Sequence, residues 1–196
     1  AAFFTIFYVP MVPIIIFIFK KDFLHWSVWP SVILCLIGGY LLTNFQDATV
    51  RLGDTLVVLG ALFWSTHIIF TGMIIKKYNL PLTIGAIQTL LVALFSFIIG
   101  LFSEEFVIDN ILNEIDSILY AGILSGGFAF VLQIYAQRNI TPAPAAIIFS
   151  LEGVFATIAA WFLLNQILGI NNLLGCFFIL SGVLLSQLVP LIKKSN

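Results

Sequence analysis

The stretch TPAPAAIIFSLEGVFATIAAWFLLNQIL, residues 141–168, decides the fold of this chain. Its apolar run is long enough to cross a bilayer as a helix, which takes about 20 residues. One carboxylate interrupts the run, that of Glu152, roughly ten residues from either polar end. A charge at the centre of a membrane-spanning helix costs about 3 kcal/mol on insertion scales, so Glu152 must face a partner or water.

The rest of the chain has the same apolar character. Its 196 residues are 61% hydrophobic and 9% charged, whereas soluble domains carry roughly 25% charged residues. The apolar runs are continuous instead of alternating, which excludes a membrane β-barrel. The sequence therefore predicts an all-α, polytopic membrane protein with seven transmembrane helices, at about residues 1–19, 27–45, 55–75, 81–102, 117–137, 141–164 and 172–192.

The connections between these helices alternate between basic and non-basic along the chain. Lys and Arg are enriched in cytoplasmic loops, so the basic connections indicate the cytoplasmic side. Only Arg51, between Asp47 and Asp54, falls on the other side. We expect the chain to begin outside and to end in the cytoplasm. The cytoplasmic basic residues are Lys20, Lys21, Lys76, Lys77, Arg138, Lys193 and Lys194.

The longest external connection is the acidic segment SEEFVIDNILNEIDS, residues 103–117. We expect a solvated loop there, and the alternative is a short interfacial helix with an apolar face. The helix that follows contains Gly122 and Gly126, a spacing that favours close packing between helices.

An internal repeat appears when the chain is shifted by 144 positions. AAFFTIFYVP (1–10) then falls on AAIIFSLEGV (145–154), and LIGGYLL (36–42) falls on LSGVLLS (180–186). The first copy enters the membrane from outside and the second from the cytoplasm, so the repeats are inverted, as in many secondary transporters. The helices between them lack an earlier counterpart. We infer a protein of about ten helices, built as five plus five, with about 90 residues before Ala1.

The segment LQIYAQRNITPAPAAIIFSLEGVFATIAAWFLLNQILGINNLLGCFFILSGVLL, residues 132–185, resembles the last helices of EamA-type carriers in the drug/metabolite transporter superfamily. Two positions depart from the family pattern: Gly153 stands where Pro is usual, and Asn165-Gln166 stands where a Gly-Glu pair is usual. Residues 53–77 are similar to the family's sixth helix. The matching residues are Ala136, Gln137, Pro142, Ala145, Ala146, Leu151, Glu152, Gly175 and Gly182.

This resemblance implies ten helices arranged as two inverted repeats. Residues 1–46 would be the last two helices of the first repeat, and residues 53–192 the complete second repeat. It also implies transport of small organic metabolites across a bacterial-type inner membrane, with the C-terminus in the cytoplasm. It does not identify a substrate.

Glu152 has two interpretations. In one it couples transport to protons, because a carboxyl group whose hydration changes as a cavity opens can take up and release a proton. In the other it is structural, protonated or hydrogen-bonded to a neighbouring helix. The resemblance places Glu152 in a pattern shared by carriers of many substrates, which favours the structural or conformational interpretation.

The helix at 55–75 carries Trp64, His67 and Thr71 on one stripe, because they are three and four residues apart. An indole can hold a cation on its π face, and an imidazole can relay protons near neutral pH. The alternative is a packing tryptophan and a histidine bonded to a neighbouring helix.

Four further residues are candidates for a substrate site. The amides of Gln133 and Gln88 offer both donors and acceptors, although a lone amide is more often interhelical packing. Thr5 and Tyr8 are three residues apart, and Pro10 and Pro13 after them favour a kink that lines a cavity. Tyr8 falls on Glu152 under the 144 shift, so its hydroxyl is a candidate partner for the carboxyl group.

These features predict a secondary carrier of amino acids, amines or related compounds, working by alternating access, in the efflux direction and with protons as a possible coupling ion. The alternatives are a nucleotide-sugar or sugar-phosphate exchanger of the same superfamily and a non-transporting membrane scaffold. Two scattered histidines argue against an enzyme, and no cofactor or metal is predicted. The expected partners are a small-molecule substrate and the lipid bilayer, not nucleic acid, since the net charge is only -1.

Overall fold

The computed structural model of the protein describes residues 2–20, 24–43 and 52–194. Every regular element in these ranges is a helix, which confirms the predicted all-α class. Several residues used in the topology prediction lie outside what the structure describes, namely Lys21, Asp47 and Arg51 and the side chains of Lys20, Lys193 and Lys194.

The helices follow one another with short connections. They are α1 (Ala2–Thr5), α2 (Tyr8–Lys20), α3 (Val28–Leu42), α4 (Leu52–Tyr78), α5 (Pro81–Ser103), α6 (Ile108–Asn113), α7 (Ile115–Leu119), a π-helix (Tyr120–Ala129), α8 (Phe130–Ala136), α9 (Pro142–Phe149), α10 (Leu151–Leu164) and α11 (Ile170–Lys194).

The helical segments long and apolar enough to cross a membrane confirm a polytopic membrane protein. Five such segments occur among the described residues, and two shorter apolar helices, Tyr8–Phe19 and Val28–Leu42, precede them. Among the described residues, the helices found at the first two predicted spans are therefore shorter than predicted. The five long segments are Leu52–Tyr78, Pro81–Ser103, Ile115–Ala136, Pro142–Leu164 and Ile170–Ile192.

The helix predicted at 1–19 is interrupted where a kink was expected, since α1 ends at Thr5 and α2 begins at Tyr8. Pro10 explains the position. A proline inside a helix has no N–H to donate, and its ring clashes with the carbonyl group four residues earlier, here that of Ile6. The N–H of Val9 bonds to the Ile6 carbonyl instead, at 2.9 Å.

The helix predicted at 141–164 is also interrupted, at Ser150, and here the sequence analysis expected a continuous helix. The Ser150 hydroxyl donates to the Ile147 carbonyl at 2.5 Å. The N–H groups of Ser150 and Gly153 bond to carbonyls three residues earlier, not four. Local bonds of this kind compete with the regular helical ladder. Under the 144 shift Ser150 falls on Ile6, so the two interruptions occupy equivalent positions.

Helices α3 and α11 cross at small residues. A Cβ atom built on Gly38 would lie 2.6 Å from the Gly175 carbonyl oxygen, and one built on Gly182 would lie 2.8 Å from the Ser31 carbonyl oxygen. Residue numbers rise along one helix as they fall along the other, so the two helices are antiparallel. The 144 shift exchanges the two contacts, as expected for helices related by a two-fold axis.

The described residues form two compact units, one from Ala1–Phe70 with Ile140–Asn196 and the other from Thr71–Asn139. The first contains the two interruptions and the crossing of α3 with α11. In the second, α5 packs on α8 at Gly85, where a Cβ atom would lie only 2.9 Å from the Val131 side chain.

The second unit differs from the sequence prediction in two places. The acidic segment contains the short helix α6, so the helical alternative is the correct one, and its side chains are all exposed. The glycines of the next span do not mediate helix packing, because nothing described lies within 4 Å of a Cβ atom built on Gly122. Gly122 and Gly126 lie inside the π-helix, where a Cβ atom on Gly126 would lie 3.2 Å from the Ala121 carbonyl oxygen.

Candidate functional site

Four polar side chains lie on the interrupted helices and on α3 in the first unit. Tyr8 begins α2, Ser150 separates α9 from α10, Glu152 is the second residue of α10, and Cys35 lies on α3. Helix α2 packs against α9, and α3 packs against both. We refer to Tyr8, Cys35, Ser150 and Glu152 as the interruption cluster.

Tyr8 lies at the buried side of this cluster. Its side chain is 6% exposed, on a helix that packs against α3 and α9. Glu152 occupies the equivalent position of the other copy, and its partnership with the Tyr8 hydroxyl stays a prediction from the repeat. Two ionisable groups in one poorly hydrated region interact more strongly than they do in water.

Glu152 itself is exposed on the protein surface, although it lies near the middle of the 23-residue span Pro142–Leu164. A carboxylate facing lipid hydrocarbon at this depth would be costly. The surface around Glu152 is therefore a surface that meets water or protein inside the membrane, and not lipid tails.

Ser150 and Cys35 join the two copies of the repeat. Both are buried, and the Ser150 hydroxyl lies 3.4 Å from the Cys35 sulfur. Neither residue is among the site residues predicted from the sequence. The available signal was the tripeptide Ser150-Leu151-Glu152, in which a second polar residue precedes the carboxylate inside an apolar run.

Trp64 and His67 form a stacked pair in the first unit. Their ring centroids are 5.0 Å apart at an interplanar angle of 18°, and both side chains are half-buried. Between them on α4, the buried Ser65 hydroxyl donates to the Ala61 carbonyl at 2.7 Å and lies 3.4 Å from the Tyr8 carbonyl oxygen. Ser65 thus connects the helix of the stacked pair to the first turn of α2.

Thr71 is the third residue of the predicted stripe on α4, and it belongs to the second unit. Thr71 is buried and accepts a hydrogen bond from Nε2 of Gln88 on α5, at 3.2 Å. Gln133 on α8 is half-buried, and its enclosed Nε2 atom makes no hydrogen bond to the described residues. Of the remaining candidates, Thr5 is exposed at the end of α1, whereas Tyr8 is buried.

A protein metal site usually takes three or more ligands from His, Cys, Asp or Glu side chains. No group of three or more His, Cys, Asp or Glu side chains is close enough to hold a metal ion within the ranges that the structure describes. The chemistry available at the interruption cluster is accordingly that of one carboxyl group, two hydroxyl groups and a thiol.

Comparison with known proteins agrees with this architecture. An uncharacterized transporter from Archaeoglobus fulgidus is 29% identical over 96% of this chain and 60% of its own length. The uncharacterized transporter YoaV of Bacillus subtilis is 27% identical over 78% of the chain and 52% of its own length. The protein WALLS ARE THIN 1 of Arabidopsis thaliana is 27% identical over 81% of the chain and 40% of its own length.

The chain thus spans roughly two fifths to three fifths of these relatives. Its residues 51–188 match the EamA-like transporter family, which agrees with the resemblance of the segment around Glu152. The matched region contains both the second interruption and the α11 side of the antiparallel crossing. Because the match extends over more than half of the sequence, this chain belongs to the EamA-like transporter family.

Proposed function

We propose that the protein is a secondary transporter that moves small organic metabolites across a membrane by alternating access. The observation that supports this most directly is the interruption cluster. Interrupted helices at the middle of a membrane are where secondary transporters bind substrates and coupling ions, because irregular backbone at that depth is stable only beside protein or water.

The scaffold for this movement is a pair of inverted repeats, one ending within residues 1–46 and the other formed by residues 53–192. The supporting contacts are those between α3 and α11, which the 144 shift exchanges. In this proposal the crossing of α3 with α11 stays unchanged during transport, and the interrupted helices change their tilt relative to it. Because the two repeats are related by symmetry, the outward-open and inward-open states then have similar energies.

Glu152 couples transport to protons. In this proposal its exposed carboxylate takes up a proton in the outward-open state and releases it in the inward-open state. An inward flow of protons down their gradient then drives efflux of the substrate. Tyr8 occupies the equivalent position on the other copy, and in this proposal its hydroxyl is the partner of the Glu152 carboxyl group.

The proposed substrates are amino acids, amines or related metabolites. The stacked rings of Trp64 and His67 present an aromatic face of the kind that binds organic groups and cations. In the other unit, the enclosed Nε2 atom of Gln133 is a donor that a polar substrate group would satisfy. Both features favour organic solutes over inorganic ions.

The proposed orientation has the C-terminus in the cytoplasm of a cell with an inner membrane. Two basic residues at helix ends support it. Lys77 lies 5.0 Å from the Tyr78 ring centroid and Arg138 lies 4.9 Å from the Tyr135 ring centroid. Tyrosine rings beside basic side chains are typical of helix ends at a membrane interface, and the excess of Lys and Arg indicates the cytoplasmic side.

Flux into proteoliposomes tests this function. The full-length protein is reconstituted and assayed with a panel of radiolabelled amino acids and amines, with and without a pH gradient. We expect pH-driven flux of at least one compound. The variant Glu152→Gln should abolish the response to the pH gradient, whereas Glu105→Gln, which changes an exposed carboxylate in the acidic segment, should not. Folded protein that moves none of the panel would contradict the proposal.

A further inference from the structure

A second feature of the first unit is a cavity of about 280 Å³ that extends from the helix interruptions to the ends of the helices. Its inner end is formed by Ile6 and Gly153, which are beside the two interruptions. Its outer end is formed by Thr43, after α3, and by Gln166, after α10. The cavity therefore leads from the level of Glu152 to the surface of the unit.

The local sequence accounts for this cavity. Gly153 leaves space on α10, where a Cβ atom would lie 3.3 Å from the Leu42 side chain. Asn165 has a φ of 52°, a left-handed conformation that ends α10. The N–H of Gln166 then bonds to the Ala160 carbonyl at 3.2 Å, so the chain turns back over the end of the helix. Asn and Gly are the residues that most readily adopt the left-handed conformation.

The described residues that line the cavity are polar at several points, and none of them is ionisable. The hydroxyl groups of Thr43 and Thr157 donate to the carbonyls of Gly39 and Gly153, at 3.0 and 2.8 Å. Their remaining capacity is that of acceptors, although Thr157 also has the Cys176 thiol as a neighbour. The amides of Gln166 and Asn172 supply both donors and acceptors.

The hydroxyl and amide groups of the cavity lining favour one class of ligand. A charged solute would lose its hydration without gaining a countercharge from the cavity lining, which is unfavourable. A solute with several hydroxyl or amide groups would satisfy the threonine oxygens and the two side-chain amides. The volume of about 280 Å³ is slightly below the range of about 300–1,000 Å³ for pockets that hold drug-sized ligands, which indicates a small molecule.

We propose that this cavity binds an uncharged, hydroxyl- or amide-rich small molecule, as a ligand site separate from the interruption cluster. The inference goes beyond the proposed transport function, because the ligand class differs from the proposed substrates. Binding at equilibrium does not require transport, so a binding measurement separates the failure of this site from the failure of the carrier proposal.

The experiment uses tritiated sorbitol as the probe, bound to the purified full-length protein in detergent and counted by scintillation proximity. Unlabelled sorbitol, gluconate and glucamine serve as competitors, because they share a six-carbon polyol chain and differ in charge. We expect saturable binding that sorbitol displaces and that the other two displace at least tenfold less well. No saturable binding to folded protein, or equal displacement by all three, would overturn the proposal.

Variants of residues on α10 test whether sorbitol binds in the cavity. Ala160→Phe fills the cavity and should weaken binding at least tenfold, whereas Ala159→Phe, an exposed neighbour on α10 that does not line the cavity, should leave it unchanged. The nearly isosteric Thr157→Val removes one acceptor without changing the shape and should weaken binding about three- to tenfold. Equal binding by Ala160→Phe and Ala159→Phe, or by Thr157→Val and the wild type, would show that sorbitol binds elsewhere. If Ala160→Phe does not fold, Thr157→Val alone decides.

Discussion

The two interrupted helices differ in chemistry although they are interrupted at equivalent positions. In the first, between Thr5 and Tyr8, the cause is Pro10, which withholds an N–H group from the Ile6 carbonyl. In the second, the cause is Ser150, whose hydroxyl bonds to the Ile147 carbonyl. Two unrelated local causes thus produce one backbone feature, which indicates that the interruption matters more than the residue that makes it.

The side chains that follow the interruptions differ as well. Tyr8 is buried, whereas Glu152 at the position 144 residues later is exposed. A symmetric backbone therefore carries a hydroxyl group on one copy and a carboxylate on the other. In our account the backbone symmetry supplies two conformations of similar energy, and the chemical asymmetry supplies one proton-binding group to couple them.

The largest effect should come from a change at the crossing of α3 with α11, which holds the two copies together. A Cβ atom on Gly38 would lie 2.6 Å from the backbone oxygen of Gly175, and backbone atoms cannot move aside easily. We expect Gly38→Ala to destabilise the fold by about 1–3 kcal/mol, which corresponds to a melting temperature in detergent lower by roughly 5 °C.

Gly60→Ala is the matched control, because nothing described lies within 4 Å of a Cβ atom at Gly60 on α4. Its melting temperature should remain at or slightly above that of the wild type, since alanine favours helix by up to about 1 kcal/mol. Equal melting temperatures for the two variants would mean that α3 and α11 do not meet at these glycines.

An intermediate effect is expected from repairing the first interruption. Pro10→Ala restores an N–H group and removes the clash with Ile6, so a continuous helix becomes favourable by as much as about 3 kcal/mol. We expect flux in proteoliposomes to fall roughly tenfold, which corresponds to about 1.4 kcal/mol in the population of the interrupted state.

The control for this variant is Pro142→Ala. Pro142 is at the beginning of α9, where a proline is tolerated because its N–H would have no helical partner. Flux should change less than twofold, roughly within the range of a neutral surface change. A Pro10→Ala protein that transports as well as Pro142→Ala would show that the first interruption is dispensable.

The smallest effect is expected from the second interruption. Ser150→Ala removes the bonds to Ile147 and Cys35 but leaves a small residue in a buried position. We expect a loss of stability of about 1 kcal/mol or less, because a hydrogen bond contributes about that much net. Thr66→Ala, which removes a similar bond from the side chain to the Phe63 carbonyl, provides the comparison. A much larger loss of stability for Ser150→Ala than for Thr66→Ala would show that the Ser150 hydroxyl does more than bond to the backbone.

The sequence predicts the helices well because long apolar runs leave the chain few alternatives in a membrane. It predicts the kink near Pro10, since proline acts locally, but it does not predict the interruption at Ser150. A serine inside an apolar run is compatible with a regular helix, and the choice depends on packing against Cys35. The crossing of α3 with α11 likewise depends on contacts between residues far apart in sequence.

The candidate site divides in the same way. The pairing of Tyr8 with Glu152 is a prediction from the repeat, whereas the stacking of Trp64 on His67 follows from helical spacing. The hydrogen bond from Gln88 to Thr71 could not be predicted, because it joins two helices. The cavity beside Gly153 was not predicted at all, since it is formed by segments of the chain that are distant from one another.

The central claim is that Tyr8 and Glu152 act as one coupling pair across the two repeats, and a double-mutant cycle on substrate counterflow at equal pH on both sides of the membrane tests it most directly. The proteins are the wild type, Tyr8→Phe, Glu152→Gln and the double variant, all verified as folded; counterflow needs no pH gradient, so Glu152→Gln leaves a rate that can be measured. We predict that Tyr8→Phe lowers the counterflow rate several-fold in the wild type and changes nothing further once Glu152→Gln is present, a coupling energy of about 1 kcal/mol. Independent, additive effects of the two changes would contradict the account.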